Sequence, residues 1–159
     1  FNPAKTWSNG WFSAHHQTVT PSSSAFDGYL AGINAVVDGG IQTGEKVVLQ
    51  VTGSGETTLY IMYNRKAGPN SGVPSHGDEV TIVSQASLSY STSSFLDNLS
   101  QGQIYTQNNW GSSSNALKVE VCSISTSTPG NARVLIYVDG VNNLSCSTSS
   151  TLAPVATPT

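Results

Sequence analysis

Charge is what this sequence has least of. Lys and Arg number 6, Asp and Glu 9, and together they make up 9% of the 159 residues, against about a quarter in an average soluble protein. Basic residues form no cluster, so nothing is present to neutralise a run of phosphates, the source of most non-specific nucleic-acid affinity. Nucleic acid and anionic membrane surfaces are therefore not expected as partners. Long apolar runs are missing as well: none approaches the roughly 20 residues needed to span a bilayer, and no membrane insertion is expected. The chain opens at Phe1 with neither a charged n-region nor an apolar h-region, so an export signal is expected to lie outside this sequence.

Catalytic motifs are equally scarce. The chain has no Gly-x-Ser-x-Gly elbow, no His-Glu-x-x-His, no Gly-x-Gly-x-x-Gly and no phosphate-cradling loop. A hydrolase would need a site assembled from scattered residues such as His15, His16 and His76, and abundant serines make any such match uninformative. No catalysis and no cofactor are expected. For metals, His15 and His16 are adjacent and would point to opposite sides of a strand, whereas His76 and Asp78 would share a face. Calcium could draw oxygens from Asp78, Glu79, Asp97 or Asp38, but no Asp-x-Asp-x-Asp-Gly loop occurs, and solvated turn carboxylates are the plainer expectation.

Cysteine is nearly absent, and the two present inform. Cys122 and Cys146 lack Cys-x-x-Cys or Cys/His ligand spacing, so a disulfide is their simplest use; two unrelated buried thiols are the alternative. Closing a loop of about 24 residues contributes roughly 3 kcal/mol in the chain-entropy picture. An oxidised pair favours a secreted, extracellular location or the outer surface of a particle. Two sequons, at Asn98-Leu99-Ser100 and Asn143-Leu144-Ser145, agree with export and make Asn98 and Asn143 candidate glycan acceptors.

What is abundant is Ser, Thr, Asn and Gly between short apolar or alternating runs. These runs predict strands near 46–52, 57–64, 79–87, 102–107, 117–125 and 132–139, with one or two more in the first third. The expected fold is an antiparallel β-sandwich of jelly-roll type. At most one short helix is expected, over 25–37, where Phe26, Tyr29, Leu30, Ile33 and Val37 recur at helical steps although Gly28 and Gly32 weaken it. Residues 1–150 read as a single domain and 151–159 as a Pro/Thr-rich extended tail or linker. Within 117–125, Leu117, Val119 and Val121 should face the core and Lys118 and Glu120 water, leaving Cys122 outside unless a bulge returns it inward. The nearly continuous apolar run 132–138 predicts a strand covered on both faces. The long turn-rich segment 65–78 has the composition of a functional loop.

Aromatic rings beside amides form the usual platform for sugars, whose apolar faces stack while their hydroxyls are hydrogen-bonded. Tyr105 and Trp110 bracket an amide-bearing loop with Asn108 and Asn109, and Trp11 is a further candidate; Gly and Ser after Trp110 mark it as the ring most exposed.

The stretch from Gly44 to Ile61, with Gly53-Ser54-Gly55 between Lys46-Val47-Val48-Leu49-Gln50-Val51 and Leu59-Tyr60-Ile61, resembles bacterial pre-peptidase C-terminal domains. A second stretch from Phe95 to Tyr105, followed by Leu117 to Val121, looks like that family's later turn into a tyrosine strand. Together the matches cover under half the chain. The resemblance implies an accessory β-sandwich on a secreted protein, some members binding calcium, collagen or polysaccharide. Thr57-Thr58 replaces the family's acidic pair, so its metal or collagen site does not carry over.

Two functions stay open at the level of sequence. One is a non-catalytic binding or adhesion module for glycan or another extracellular surface. The other is a structural subunit of a self-assembling coat, filament or capsid, associating through the apolar strand 134–138 or its terminal arms; a surface of low charge lacks the repulsion that keeps copies apart.

Overall fold

Turn-forming clusters divide the chain into nine strands among the described residues of the computed structural model, which are 1–36, 40–86 and 92–148. The strands are β1 (His16–Val19), β2 (Phe26–Ala31), β3 (Val48–Val51), β4 (Thr58–Asn64), β5 (Glu79–Gln85), β6 (Ser94–Leu99), β7 (Ile104–Gln107), β8 (Leu117–Ser125) and β9 (Asn131–Val138). They build two sheets, ordered β1-β3-β4-β5-β6 and β2-β9-β8-β7. Every named pairing is antiparallel except β1 with β3, which run parallel. The all-β expectation holds. The expected tail at 151–159 lies outside the described residues, as do the last residues of the expected domain at 149–150, Ser87 and Val37.

Period-two alternation turns one face of each sheet inward. Leu49, Ile61 and Ile82 from the first sheet meet Val119, Val134 and Ile136 from the second in a single buried cluster, and each such aliphatic side chain contributes about 1.5–3 kcal/mol when fully buried. In β8, Leu117, Val119 and Val121 are buried and Lys118 and Glu120 are not, as their alternation requires.

The helix expected over 25–37 does not form. Residues Phe26–Ala31 are strand β2, paired with β9, and only a short 3-10 turn, Ile33–Val36, follows. Period two prevails over the helical spacing: Phe26 and Leu30 enter the core while Asp27 faces water, and a side chain at Gly28 would meet the Phe26 ring at 2.6 Å. The α-helix among the described residues is instead α1 (Pro3–Ser8). Its start was written in the sequence as Asn2-Pro3: Asn2 caps by accepting the Lys5 N–H at 3.1 Å, and proline at the first helical position gives up an N–H that has no partner there. The helix lies over the outer face of the first sheet, where Ala4, Tyr60 and Val83 form a second cluster backed by Trp7.

Strand β9 is covered on both faces, as the run 132–138 predicts. Its inward residues join the core, and its outward residues Arg133, Leu135 and Tyr137 are buried too. Part of the cover is the segment after β9: Arg133 forms an ion pair with Asp27 (2.8 Å) and donates to the carbonyls of Cys146 (3.2 Å) and Thr148 (2.7 Å). A disulfide joins Cys122 to Cys146, fixing that segment to β8. Cys122 sits at a bulge, since Val121 pairs with Val134 and Ser123 with Arg133, so the extra residue is turned out of the ladder. The expected self-association through 134–138 is corrected by this packing, because β9 is bonded on both edges to β2 and β8 and residues 134–138 are buried.

Candidate functional site

The ring expected to be most exposed is buried. Trp110 is 1% exposed and belongs to the core. Its loop is pulled inward by Glu56, 51 and 55 residues away in sequence, whose carboxylate accepts from the Gln107 side-chain amide (2.8 Å) and the Gly111 N–H (3.0 Å). Gly53 leaves room for the indole: a Cβ there would come within 2.7 Å of its ring carbons. Tyr105 is half-buried against the core and donates its hydroxyl to Gln107 at 3.3 Å, and burial, with the Asp97 charge adding, raises its pKa. Asn108 and Asn109 are exposed, but the ring that should have stood beside them is gone. Trp11 is 49% exposed, packed edge to face with Phe1 at 6.2 Å, and among the described residues no hydrogen bond or ring contact joins it to residues 105–110. The expected platform is therefore not assembled.

An exposed aromatic stands elsewhere, on β6. This strand closes one edge of the first sheet and, among the described residues, has no neighbour beyond it. A bulge at Leu96 pairs Phe95 with Val83 and Asp97 with Ile82, so Phe95 shares the outer face with Glu79, Thr81, Val83 and Asn98. Phe95 is 60% exposed. It stands at one side of a groove of about 350 Å³ lined also by His76, Glu79, Asp97, Asn98, Ser100 and Gln103.

The polar groups of the groove hold one another in place. His76 stacks on Phe95 with ring centroids 6.0 Å apart, and its Nδ1 lies 3.1 Å from a Glu79 carboxylate oxygen. Because carboxylate accepts, Nδ1 carries the hydrogen. The other Glu79 oxygen accepts from the Ser100 hydroxyl at 3.2 Å, and the Ser100 N–H donates to the Gln103 side-chain oxygen at 2.7 Å. Serine and histidine thus flank the carboxylate, and no hydrogen bond joins His76 to Ser100 among the described residues.

The loop 65–78 carries His76 to this position. Asp78 anchors it by accepting from the Arg65 guanidinium (2.7 Å) and the Lys66 N–H (2.9 Å), while the Asp78 N–H donates to the Asn64 carbonyl (2.8 Å). Burial works to raise the Asp78 pKa, but these hydrogen bonds and the two cations outweigh it and leave the carboxyl below its ordinary range. Nearby, Tyr63 donates to the Ser125 carbonyl; burial, helped by the Asp78 charge, pushes its phenol up to about 12. Of the carboxylates weighed for calcium, Glu79 and Asp97 line the groove, Asp78 is turned away to Arg65, and Asp38 lies outside the described residues. Among the described residues no group of three or more His, Cys, Asp or Glu side chains is placed to hold a metal ion, and no helix is long and apolar enough to cross a membrane.

The two sequons differ sharply. Asn143 is exposed, whereas the Asn98 side-chain nitrogen is buried. Comparison of the chain with protein-family models, with curated proteins and with solved structures finds no match.

Proposed function

We propose that this protein is a non-catalytic extracellular binding module that takes a saccharide in the groove beside Phe95. The single observation carrying this is the exposed Phe95 ring on an edge strand, set against two carboxylates, an imidazole and two amides. A sugar ring offers an apolar face for stacking and hydroxyl donors for Glu79 and Asp97. Mutual hydrogen bonds hold Glu79, Ser100 and Gln103 before any ligand arrives, which lowers the ordering cost of binding. The disulfide and the low charge support a secreted location. As part of the same proposal, the fold is of jelly-roll kind and akin to pre-peptidase C-terminal domains. Crossings between sheets at β1 to β2, β2 to β3 and β6 to β7 support the first, and the Gly53-Ser54-Gly55 turn between β3 and β4 supports the second.

Retention on a panel of immobilised polysaccharides, compared with that of Phe95→Ala, tests the proposal. Loss of one stacked ring is worth about 1.4 kcal/mol, a tenfold weaker Kd. Equal retention of both proteins would reject the groove as the saccharide site. The second reading, a subunit of a coat or filament, draws on the exposed apolar residues Phe95, Leu96 and Ile104 along the open edges of β6 and β7. It would be favoured by concentration-dependent growth in light scattering that Phe95→Ala abolished.

A further inference from the structure

An N-linked glycan is carried by the side-chain nitrogen of asparagine, so a sequon serves a folded protein only where that nitrogen has space outside it. Asn98 and Asn143 meet this requirement in opposite ways. Asn98 lies on β6 opposite Thr81, whose hydroxyl donates to the Asn98 side-chain oxygen at 2.8 Å. Its nitrogen is buried. A sugar bonded there would force the side chain out, break the cross-strand hydrogen bond and fill the groove that Asn98 lines. Asn143 lies on the exposed loop after β9, and its side-chain oxygen accepts the Gly140 N–H at 2.7 Å. That bond engages the amide through its oxygen, and no hydrogen bond holds its nitrogen among the described residues. The sequon hydroxyl, on Ser145, is on an exposed residue and meets only Ser147, lying 2.8 Å from its hydroxyl and accepting its N–H at 3.3 Å.

We propose that Asn143 is an N-glycan acceptor of this protein and that Asn98 is not. The Asn143 nitrogen attacks the anomeric carbon of a lipid-linked diphosphate oligosaccharide on a transferase. The new C–N bond replaces the C–O bond to diphosphate, which leaves with its electron pair, and the amide nitrogen gives up one proton. Both sequons pass the transferase on the extended chain; folding then decides, because only a glycan at Asn143 is compatible with the packed sheets. Strand direction sets the outcome for the groove. The ends of β5, β6 and β7 that carry Glu79, Leu99 and Ile104 lie at one end of the sandwich, and Val138, the turn of residues 139–143 and the start of β8 lie at the other. A glycan on Asn143 therefore leaves the groove open. This inference does not depend on what the groove binds.

The test is expression with an export signal in a host that N-glycosylates, followed by enzymatic deglycosylation of the secreted monomer in 18O water and peptide mass mapping. The expected result is 18O-labelled aspartate at position 143 and unmodified asparagine at 98. Asn143→Gln and Ser145→Ala should each remove the whole glycan mass, and Asn98→Gln should remove none. An unmodified Asn143, or a glycan on Asn98 in the secreted monomer, would overturn the proposal.

Discussion

Gly53 and Trp110 show how one residue without a side chain decides the place of the largest one. With 2.7 Å between a would-be Cβ and the indole, Gly53→Ala must displace the ring or the turn, and overpacking of this kind costs about 1–3 kcal/mol. The expected outcome is a thermal midpoint lowered by roughly 5 °C, since 1 kcal/mol moves a domain of this size by about 2–4 °C. Near-ultraviolet circular dichroism would follow it, and an unchanged midpoint would refute the close fit. Trp110 also marks where sequence reasoning stopped. Its neighbours Gly111, Ser112, Ser113 and Ser114 read as surface, and they are largely at the surface; the indole is inside because Glu56 holds the loop. A partner so distant along the chain leaves no periodic trace. Nothing in the residues around Phe95 signals exposure, and its place on an edge strand is what leaves it in water.

Among the elements, the loop 65–78 depends on a single carboxylate. The folded Asp78 pKa lies below that of an ordinary aspartate, so the stability it provides is complete above the unfolded value and is lost as pH falls through the folded one. Urea titrations below about pH 4 should show this loss, and Asp78→Asn should weaken the protein at pH 7 while flattening that acid limb. A charge-assisted hydrogen bond is worth about 1.5–3 kcal/mol, and partial exposure of the Asp78 side chain, at 33%, puts the expectation near the lower bound. An acid limb identical in the two proteins would count against Asp78. Elements of this kind were unevenly legible. The alternation of β8 and the double-sided burial of β9 follow from their residue patterns, because burial and period two act locally. Strands β1 and β6 are edge strands with poor alternation, and β2 carries helix-like spacing; pairing partners, absent from any local window, made them strands.

For the whole molecule, the link between Cys122 and Cys146, 24 residues apart, acts chiefly on the unfolded chain. Replacing both by serine should cost roughly 3 kcal/mol, read as a lower urea midpoint, with Arg133 still holding the segment in the folded state through Asp27, Cys146 and Thr148. A midpoint unchanged from wild type would show that the bond restrains little. The pairing was readable because only two cysteines exist. The position of the groove was not, since it requires β5, β6 and the loop before them to be brought to one end.

That end-to-end separation gives the molecule a front and a back. Coupled to a sensor chip through oxidised sugar at position 143, every copy would stand in the same attitude with its Phe95 side toward the liquid. Random attachment through the few lysines would face many copies toward the chip.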